Sequence, residues 1–451
     1  MKLLHLADLH IGKRVHEFSM LEEQKHVLSQ ILEYGKQYKP DAVLIAGDVY
    51  DRSVPAADAV LLFDEFLVGL HQLNIKVFLI SGNHDSAERL QFAGSILEES
   101  GVYVAGSYDG TLKHVTLQDE YGEVVIWLMP FVRPAAVTCF HVIERCFVRM
   151  CKRAYGKKIG KAPVLRVKVY KWNFCARPDK MKQKETFAQT VPLILKHNFY
   201  KKTNKNQRLK GDKTVPFLKG EEHLVGDRTR HVLVAHQFVT YNGEAEQCES
   251  EYHNIGGLDE IDVAIFQDFD YVALGHLHGA QKIGRETVRY AGSPLKYSFS
   301  EVYQKKSVTL VELKEKGTVD IKLLPLTPIH DMRKIKGPLA ALVSKEVVEA
   351  APADDYMHVT LTDEEELYDA VGQLRAKYPN LMRLEFENSR TKALQKLDGM
   401  TAQWKNASPV QLFAEFYEQQ NGVCMSDEEE ALLRQFLNAE QAIPIFKCVE
   451  H

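Results

Sequence analysis

The sequence predicts an α/β fold, in which buried strands alternate along the chain with helices that cover them. Apolar runs of about five residues recur near the start, and most of them end in a polar residue or a glycine, as buried strands do. These runs are residues 3–7, 42–46, 77–81 and 124–129. Between the first three runs, residues 21–38 and 56–73 carry apolar side chains at helical spacing. Alternating strands and helices favour a mainly parallel sheet with helices outside it.

The strand pattern returns in the second half of the chain. Residues 231–235 and 271–274 form apolar runs of the same kind, and hairpin-like sequence follows from 287 to 324. The proline-containing stretch 325–328 is typical of a boundary between domains. We therefore predict a first domain over residues 1–325.

A small α+β domain is predicted after this boundary, over residues 326–390. Residues 357–361 and 381–386 alternate between apolar and polar side chains as strands do. Residues 364–377, which lie between them, have helical spacing. Two strands that flank a helix predict a compact module separate from the first domain.

The last predicted segment, residues 391–451, consists of polar sequence followed by two amphipathic helices at 409–420 and 426–440. Ser426 is positioned to cap the second helix, and Glu429 stands three residues later, as in a capping box. The first helix carries an apolar stripe, formed by Leu412, Phe413, Phe416 and Tyr417. Because a helix buries such a stripe against something, these helices either pack on each other or bind a partner.

Composition excludes several classes of protein. The chain has 451 residues, of which 45 % are hydrophobic and 26 % charged, an ordinary globular mixture. It is therefore not a disordered chain, a collagen or a coiled-coil rod. There is no apolar run of about eighteen residues, so we predict no membrane span, and residues 1–5 do not resemble a signal peptide. Seven cysteines without paired spacing favour a reduced, cytoplasmic setting.

One segment has an unusual charge. Residues 138–220 contain 22 Lys and Arg against 4 Asp and Glu, although the whole chain contains 57 and 61. Such dense positive charge is typical of a surface that contacts DNA phosphates. The alternatives are an unstructured insertion or an out-of-frame stretch between two correct frames, which the abrupt edges at Ala136 and Arg230 favour. We treat 138–229 as an atypical basic insertion in the first domain.

The strongest functional signal is the position of polar residues directly after the apolar runs. These residues are Asp8, His10, Asp48, Asn83, His84, His236, His276 and His278. Ligands of parallel α/β sheets bind outside the carboxyl ends of the strands, so these side chains are expected to converge. A mixture of carboxylate, amide and imidazole donors suits Mn²⁺, Fe²⁺ or Zn²⁺, and suits Ca²⁺ poorly.

The spacing of these residues predicts a pair of metal ions. Asp8 and His10 are separated by one residue, as are His276 and His278, so each pair can reach one site. Asp48 is the natural carboxylate to bridge two cations. Two cations about 3.5–4 Å apart can drive phosphoryl transfer without a nucleophilic side chain. His84 is then well placed to protonate the leaving group.

Together these motifs resemble the signature of the calcineurin-like metallophosphoesterases. They are Asp8-x-His10, Gly47-Asp48-x-x-Asp51, Gly82-Asn83-His84-Asp85, His236 and Gly275-His276-x-His278. Further segments, at 51–55, 234–238 and 292–298, are similar to the SbcD-type nuclease subunits of bacterial SbcCD complexes. The resemblance covers about 1–137 and 230–450, and the basic insertion departs from it.

The resemblance implies a fold, a set of roles and an activity. The fold would be a metallophosphoesterase sandwich of two sheets with helices outside, followed by an α+β capping domain and C-terminal helices. The implied metal ligands are Asp8, His10 and His278 for one ion, Asn83, His236 and His276 for the other, and Asp48 between them. His84 would be the catalytic acid, whereas Asp51 and Asp85 would act indirectly.

The resemblance also implies a cofactor and partners. The cofactor would be two divalent ions, most often Mn²⁺. The activity would be DNA cleavage, as a 3′–5′ double-strand exonuclease and single-strand endonuclease in end processing, hairpin cleavage, replication and recombination. The partners would be DNA, an SbcC-type coiled-coil ATPase held by the C-terminal helices, and a second copy of the chain.

Two other functions stay open at this stage. The same metal pair could serve a phosphatase or a cyclic-nucleotide phosphodiesterase, because the core chemistry does not choose the alcohol. A catalytically silent scaffold that recruits the ATPase is the alternative from another class. Outside the motifs, His5, His231 and His253 are predicted to be core residues, and Glu99, Glu301 and the acidic run 427–430 are predicted to be solvated surface.

Overall fold

In the computed structural model, the chain is described over residues 1–132, 228–249, 251 and 260–389, with single positions at 191, 194 and 195 and between 410 and 433. The predicted basic insertion therefore lies almost entirely outside the described residues. The chain divides into two compact units, Met1–Arg333 and Lys334–His451. Within the described residues, no helix combines the length and the apolar composition that crossing a membrane requires.

The described parts of the two units include nineteen strands and seven α-helices whose bounds are defined. The strands are β1 (Lys2–Leu6), β2 (Arg14–Val15), β3 (Phe18–Ser19), β4 (Ala42–Ala46), β5 (Lys76–Ile80), β6 (Val102–Ala105), β7 (Lys113–Asp119), β8 (Gly122–Met129), β9 (Arg230–His236), β10 (Val239–Thr240), β11 (Ile261–Asp262), β12 (Tyr271–Gly275), β13 (Gln281–Ile283), β14 (Arg285–Tyr290), β15 (Ser307–Leu313), β16 (Val319–Pro325), β17 (Met332–Gly337), β18 (Tyr356–Leu361) and β19 (Leu381–Phe386). The helices are α1 (Leu21–Tyr38), α2 (Ala57–Gln72), α3 (Ala87–Leu90), α4 (Gly94–Glu99), α5 (Leu339–Leu342), α6 (Lys345–Glu349) and α7 (Ala370–Arg375).

Two six-stranded sheets form the first unit. Their orders are β16-β15-β1-β4-β5-β6 and β13-β14-β12-β9-β8-β7. In the first sheet β1, β4, β5 and β6 run parallel, and in the second β14, β12, β9 and β8 do so. Antiparallel strands complete one edge of the first sheet and both edges of the second, so both sheets are mixed. The two-sheet α/β sandwich predicted from the resemblance is confirmed.

The sheets pack face to face, and this explains why their central strands are apolar along their whole length. Leu44 and Phe78 of the first sheet share one buried cluster with Ile126 and Val234 of the second. Helices α1 and α2 cover the other face of the first sheet. The outer face of the second sheet packs on buried apolar side chains, including those of Val191, Ile194 and Leu195.

The second unit contains a three-stranded sheet, β17-β18-β19, with an apolar core of its own. The predicted helix over 364–377 is wrong in its extent, because only Ala370–Arg375 is helical. Asp369 starts that helix in a left-handed conformation and caps it by accepting from the Gly372 N–H. The Glu364 carboxylate is used elsewhere, since it accepts from the Ser389 N–H at 3.0 Å.

The predicted capping box near the C-terminus is confirmed. The Ser426 N–H donates to Glu429 Oε2 at 2.8 Å, and the Glu429 N–H donates to Ser426 Oγ at 3.3 Å. Both bonds satisfy backbone donors that a helix start leaves unpaired. Most of the two predicted terminal helices, including Leu412 and Phe416, lies outside the described residues.

Candidate metal centre

The structure brings all eight predicted side chains to one edge of the sandwich. They follow the carboxyl ends of β1, β4 and β5 in the first sheet and of β9 and β12 in the second. Contacts between the sheets hold this edge together: His236 Nδ1 lies 2.8 Å from the Ala46 carbonyl oxygen, and the His276 N–H donates to both carboxylate oxygens of Asp8, at 3.0 and 3.1 Å. The parallel centres of the two sheets therefore share a single polar site.

Three of these residues form a first ligand group, namely Asp8, His10 and His278. Donor atoms from all three lie within 4.8 Å of one another, and the three residues are buried. The Nε2 atoms of His10 and His278 are 3.2 Å apart. Two imidazole nitrogens and a carboxylate that converge in this way can share one cation.

Asn83, His236 and His276 form a second ligand group. Asn83 Oδ1 lies 2.9 Å from His236 Nε2 and 3.1 Å from His276 Nδ1. His236 is fully buried, and the other two side chains are partly exposed. An amide oxygen and two imidazole nitrogens again offer one cation several donors.

Asp48 lies between the two ligand groups. Its Oδ2 atom is 3.7 Å from His10 Nε2 and 3.5 Å from His236 Nε2. Its Oδ1 atom accepts from the His84 N–H at 2.9 Å, which fixes the carboxylate. A carboxylate in this position can serve both groups.

His84 lies beside the first ligand group and is partly exposed. Its ring centroid is 4.8 Å from that of His10. Its Nδ1 atom lies 2.9 Å from the backbone carbonyl oxygen of Asp51, a contact that orients the ring with Nδ1 as the donor. A partly exposed, oriented imidazole next to the metal ligands is suited to proton transfer.

The backbone at this edge is strained. Four non-glycine residues of the site have positive φ, namely Asp8 (53°), His10 (44°), Asp48 (50°) and His276 (112°). Such conformations cost about 1–3 kcal/mol each and persist only where the surroundings enforce them. They are concentrated at functional sites, which agrees with a binding role for these residues.

Glycines in the motifs allow the close approaches that build the site. A Cβ at Gly47 would lie 2.4 Å from His236 Nδ1, and a Cβ at Gly82 would lie 2.0 Å from Asp48 Oδ1. At Gly275 it would lie 1.9 Å from the Ala46 carbonyl oxygen. No side chain fits at these distances, so the motifs require glycine for steric reasons.

Burial and mutual charge shift the acid–base equilibria of the ligands. Burial raises the pKa of Asp8 to about 7. Burial lowers the pKa of His276 to about 3, and it lowers the pKa of His10 well below its ordinary value. Burial opposes charge on His236 as well, but the Asp48 carboxylate raises the pKa of His236 to about 9, and the imidazole in turn holds the pKa of Asp48 far below its usual range. His10 and His276 are thus neutral donors, and His236 carries the proton that a cation would displace.

The motif carboxylates Asp51 and Asp85 support the site indirectly. Asp85 accepts from the N–H groups of Val49, Tyr50 and Gly82 and so ties two motif loops together. Asp51 pairs with the Lys13 ammonium at 2.7 Å. The predicted core positions of His5 and His231 are confirmed by their burial, and His253 lies outside the described residues.

The prediction that Glu301 is solvated surface is wrong. Glu301 is fully buried, and its carboxylate lies between the Lys306 ammonium and the ring of His278. Sequence reasoning also missed Glu251, whose Oε1 accepts from the His278 N–H at 2.6 Å. The 292–298 segment, which the resemblance includes, does contribute a residue to the site. Its Tyr297 lies against His10, with ring centroids 5.6 Å apart.

These donors fit a pair of divalent cations. Carboxylate, amide and neutral imidazole groups are the ligands of Mn²⁺, Fe²⁺ and Zn²⁺. In the first ligand group, His10 Nε2 and His278 Nε2 are 3.2 Å apart, so one cation could bind both nitrogens. Asp8, His10 and His278 would hold one ion, Asn83, His236 and His276 the other, and Asp48 both.

Comparison with known proteins identifies the class of this fold and site. Residues 1–143 match the family model described as calcineurin-like phosphoesterase. This match agrees with the family whose signature the motifs resemble.

More particular matches cover most of the chain. Residues 328–421 match the SbcD_C model, described as the type 5 capsule protein repressor C-terminal domain. The chain is 27 % identical over 385 residues to the SbcD subunit of the nuclease SbcCD from Staphylococcus epidermidis, covering 85 % of each chain. The corresponding SbcD subunit from Staphylococcus saprophyticus is also 27 % identical over 385 residues, covering 85 % of this chain and 84 % of that one. A dimetal phosphatase from Danio rerio superimposes with a TM-score of 0.34 and 8 % identity, over 72 % of this chain and 99 % of that one, which is too weak to bear on function.

Proposed function

We propose that this chain is a metal-dependent DNA nuclease that acts as the SbcD subunit of an SbcCD-type complex. The observation that carries the proposal is the presence of two ligand groups on either side of Asp48, which lies 3.7 Å from one and 3.5 Å from the other. The relatives that match along most of the chain are named as SbcD subunits of the nuclease SbcCD. A site for two cations and a nuclease homology together favour hydrolysis of phosphodiesters.

The proposed division of labour follows from the positions of the side chains. Asp8, His10 and His278 would hold one cation, Asn83, His236 and His276 the second, and Asp48 would bridge them. Two bound cations would activate a water molecule and stabilise the charge that develops on the phosphate. The chain itself would contribute rigidity, because the Asp8 carboxylate and the His236 ring are fixed by backbone groups across the two sheets.

His84 is proposed to donate the proton that the leaving oxygen needs. Its Nδ1 atom is engaged by the Asp51 carbonyl, which aligns the ring at the edge of the ligand groups. His84 is adjacent to Asn83 in sequence, and its backbone N–H donates to Asp48. Its position is therefore tied to the positions of these two residues. Loss of such an acid costs about 10²–10⁴-fold in rate.

The finer activity is also a proposal. We infer 3′–5′ exonuclease action on double-stranded DNA and endonuclease action on single strands, with manganese as the preferred ion. The mixed oxygen and nitrogen donors agree with Mn²⁺, although they accept other divalent ions. The charge of the basic insertion is suited to DNA phosphates, and neutralising six of its lysines should reduce the salt dependence of DNA binding.

The partners proposed for the chain are DNA, an SbcC-type ATPase and a second copy of the chain, in the cytoplasm. We assign residues 1–325 to the nuclease domain, 326–390 to the capping domain and 391–451 to the helices that bind the ATPase. The exposed apolar side chains of Leu61, Val68, Phe92 and Ile96 would suit a protein interface.

One assay separates this function from a phosphatase or a cyclic-nucleotide phosphodiesterase. The purified chain with its ATPase partner would be offered single-stranded DNA, double-stranded DNA, a cyclic nucleotide and a chromogenic phosphate monoester, each with Mn²⁺. We expect cleavage of both DNA substrates and weak turnover of the others. Preference for the monoester or the cyclic nucleotide would overturn the nuclease proposal, and no turnover with no bound manganese would favour the scaffold.

A further inference from the structure

We propose that Glu301 is a positioning residue for the metal ligand His278, and that Lys306 and Glu251 complete the arrangement. We call these three residues the His278 clamp. The inference deepens the proposed function and rests on it, since His278 matters only if the first ligand group binds a cation. It assigns a role to a charged cluster that the motifs do not contain.

Glu301 lies beside the ring of His278, on the side opposite to the first ligand group. Its carboxylate is fully buried, and its Oε1 atom lies 3.6 Å from His278 Nδ1. The same oxygen accepts from the Tyr297 N–H at 3.2 Å, which fixes the carboxylate. The other ring nitrogen of His278, Nε2, is the one that lies 3.2 Å from His10 Nε2.

Lys306 is the counter-ion of this carboxylate and also holds the backbone of the ligand. Its Nζ atom lies 2.5 Å from Glu301 Oε2 and donates to the His278 carbonyl oxygen at 2.9 Å. Ser293 Oγ and Gln304 Oε1 also lie within hydrogen-bond distance of the ammonium, at 2.9 and 2.8 Å, so four acceptors share its three N–H groups. A buried carboxylate without such a partner would be strongly unfavourable.

Glu251 holds the other side of the same peptide. Its Oε1 atom accepts from the His278 N–H at 2.6 Å, and its Oε2 atom accepts from the Cys248 N–H at 3.0 Å. The N–H and the carbonyl of His278 are therefore hydrogen-bonded by two charged side chains, and a third charged side chain lies beside its ring. In the proposal, these three contacts together position the imidazole.

The orientation has a direct chemical consequence. A carboxylate beside Nδ1 favours the tautomer with its proton on Nδ1, so that the lone pair of Nε2 is available to a cation. Loss of such an outer partner typically weakens metal affinity by about 10–100-fold. A purely structural ion pair would instead affect the stability of the fold and leave the metal affinity unchanged.

The test is a manganese titration of the full chain without DNA, followed by the EPR signal of free Mn²⁺. In the Glu301→Gln variant we expect one of two ions to bind about 10-fold or more weakly, whereas the second ion binds as in the wild type. If a folded Glu301→Gln variant bound both ions with the affinities of the wild type, the inference would be overturned.

Two further variants separate positioning from folding. Glu301→Gln leaves the Lys306 ammonium without its carboxylate partner, so the double variant Glu301→Gln/Lys306→Met should recover part of the lost thermal stability without recovering the metal affinity. Recovery of both would show that Glu301 acts only through the fold. The matched control is Asp119→Asn, which breaks the ion pairs of Asp119 with Arg230 and the N-terminal amine, remote from the ligand groups. It should lower stability and leave both affinities unchanged.

A measurement on the unmodified chain decides the matter if the variants fail to fold. The ¹⁵N chemical shifts of the His278 ring in the metal-free protein should report a proton on Nδ1. A proton on Nε2 would overturn the inference. If the wild type binds fewer than two manganese ions, the proposed function fails, whereas two bound ions with no nuclease activity would leave the clamp to be judged by affinity alone.

Discussion

The two ligand groups are built from similar side chains but are held in different ways. In the first group, His278 is surrounded by the charged side chains of Glu251, Glu301 and Lys306. In the second group, His236 bonds to the Ala46 carbonyl oxygen at 2.8 Å, and Gly275 allows the two sheets to approach closely. His278 in the first group is thus held by charged side chains, whereas His236 in the second is held by a backbone carbonyl and by steric fit.

This difference indicates how each half will respond to change. Ion pairs can be altered by single side-chain substitutions that preserve shape. A backbone contact cannot be removed in this way, but it can be disturbed by adding a methyl group where only glycine fits. The predictions below use these two kinds of change to test whether the halves are independent.

The largest effect is expected where the two halves meet. Asp48→Asn removes the carboxylate that lies between His10 and His236 and should weaken both metal ions. Nuclease activity should fall by about 10³-fold or more, which corresponds to several kcal/mol of lost transition-state stabilisation. Elemental analysis and a rate measurement on double-stranded DNA check this. Wild-type metal content with a wild-type rate would contradict a bridging role.

His84→Gln should reduce the rate by about 10²–10⁴-fold while both metal ions remain bound. The reason is that His84 is proposed to act on the leaving group and contacts Asp48 only through its backbone N–H. Metal content and cleavage rate are measured on the same preparation. A wild-type rate would assign the acid role to another residue.

Gly275→Ala should disturb the second half selectively. The added Cβ would lie 1.9 Å from the Ala46 carbonyl oxygen and 2.9 Å from His236 Nδ1. We expect a loss of about 1–3 kcal/mol of folding stability and weaker binding of one ion, as is usual for overpacking. Thermal melting and manganese titration measure both effects.

Gly279→Ala is the matched control for this change. The nearest atom to its Cβ would be Gln304 Nε2 at 3.4 Å, an ordinary contact. Stability and metal affinity should therefore stay close to those of the wild type. If both variants behave alike, the close approach at Gly275 has no special role.

The two halves should also differ in their dependence on pH. Burial raises the pKa of Asp8 to about 7, and, although burial opposes it, Asp48 raises the pKa of His236 to about 9. A cation must displace each proton that is bound below these values, so affinity rises with pH, by about tenfold per unit for one proton. The metal affinity of the first ligand group should level off above about pH 7, and that of the second ligand group only above about pH 9. Manganese titrations between pH 6 and about 9.5 would show two curves, and a single common curve would contradict the assignment.

The sequence predicts the candidate ligands but not the residues that hold them. The ligand positions were accessible because each follows an apolar strand, and helix α1 begins and ends where its spacing predicts. The clamp could not be found in this way, because Glu251 and His278 meet only through the folded chain. Glu301 has the composition of a surface residue, and only its tertiary contacts bury it.

The predicted extent of one helix is also wrong, because helical spacing and helix capping indicate different starting residues. Residues 364–377 have helical spacing, but the side chain of Asp369 caps a helix that begins only at Ala370. Glu364 meanwhile bonds to Ser389, a contact that spacing along the sequence does not reveal. Capping and tertiary contact therefore decided the extent of this helix.

The central claim is that the chain holds two cations, one on each side of Asp48, against a DNA phosphate. It is tested most directly by anomalous diffraction at the manganese edge from crystals soaked in Mn²⁺ with a short duplex. The account predicts two peaks, one at each ligand group, with the Asp48 carboxylate between them and a phosphate in contact with both. Absence of both peaks under saturating manganese would contradict it.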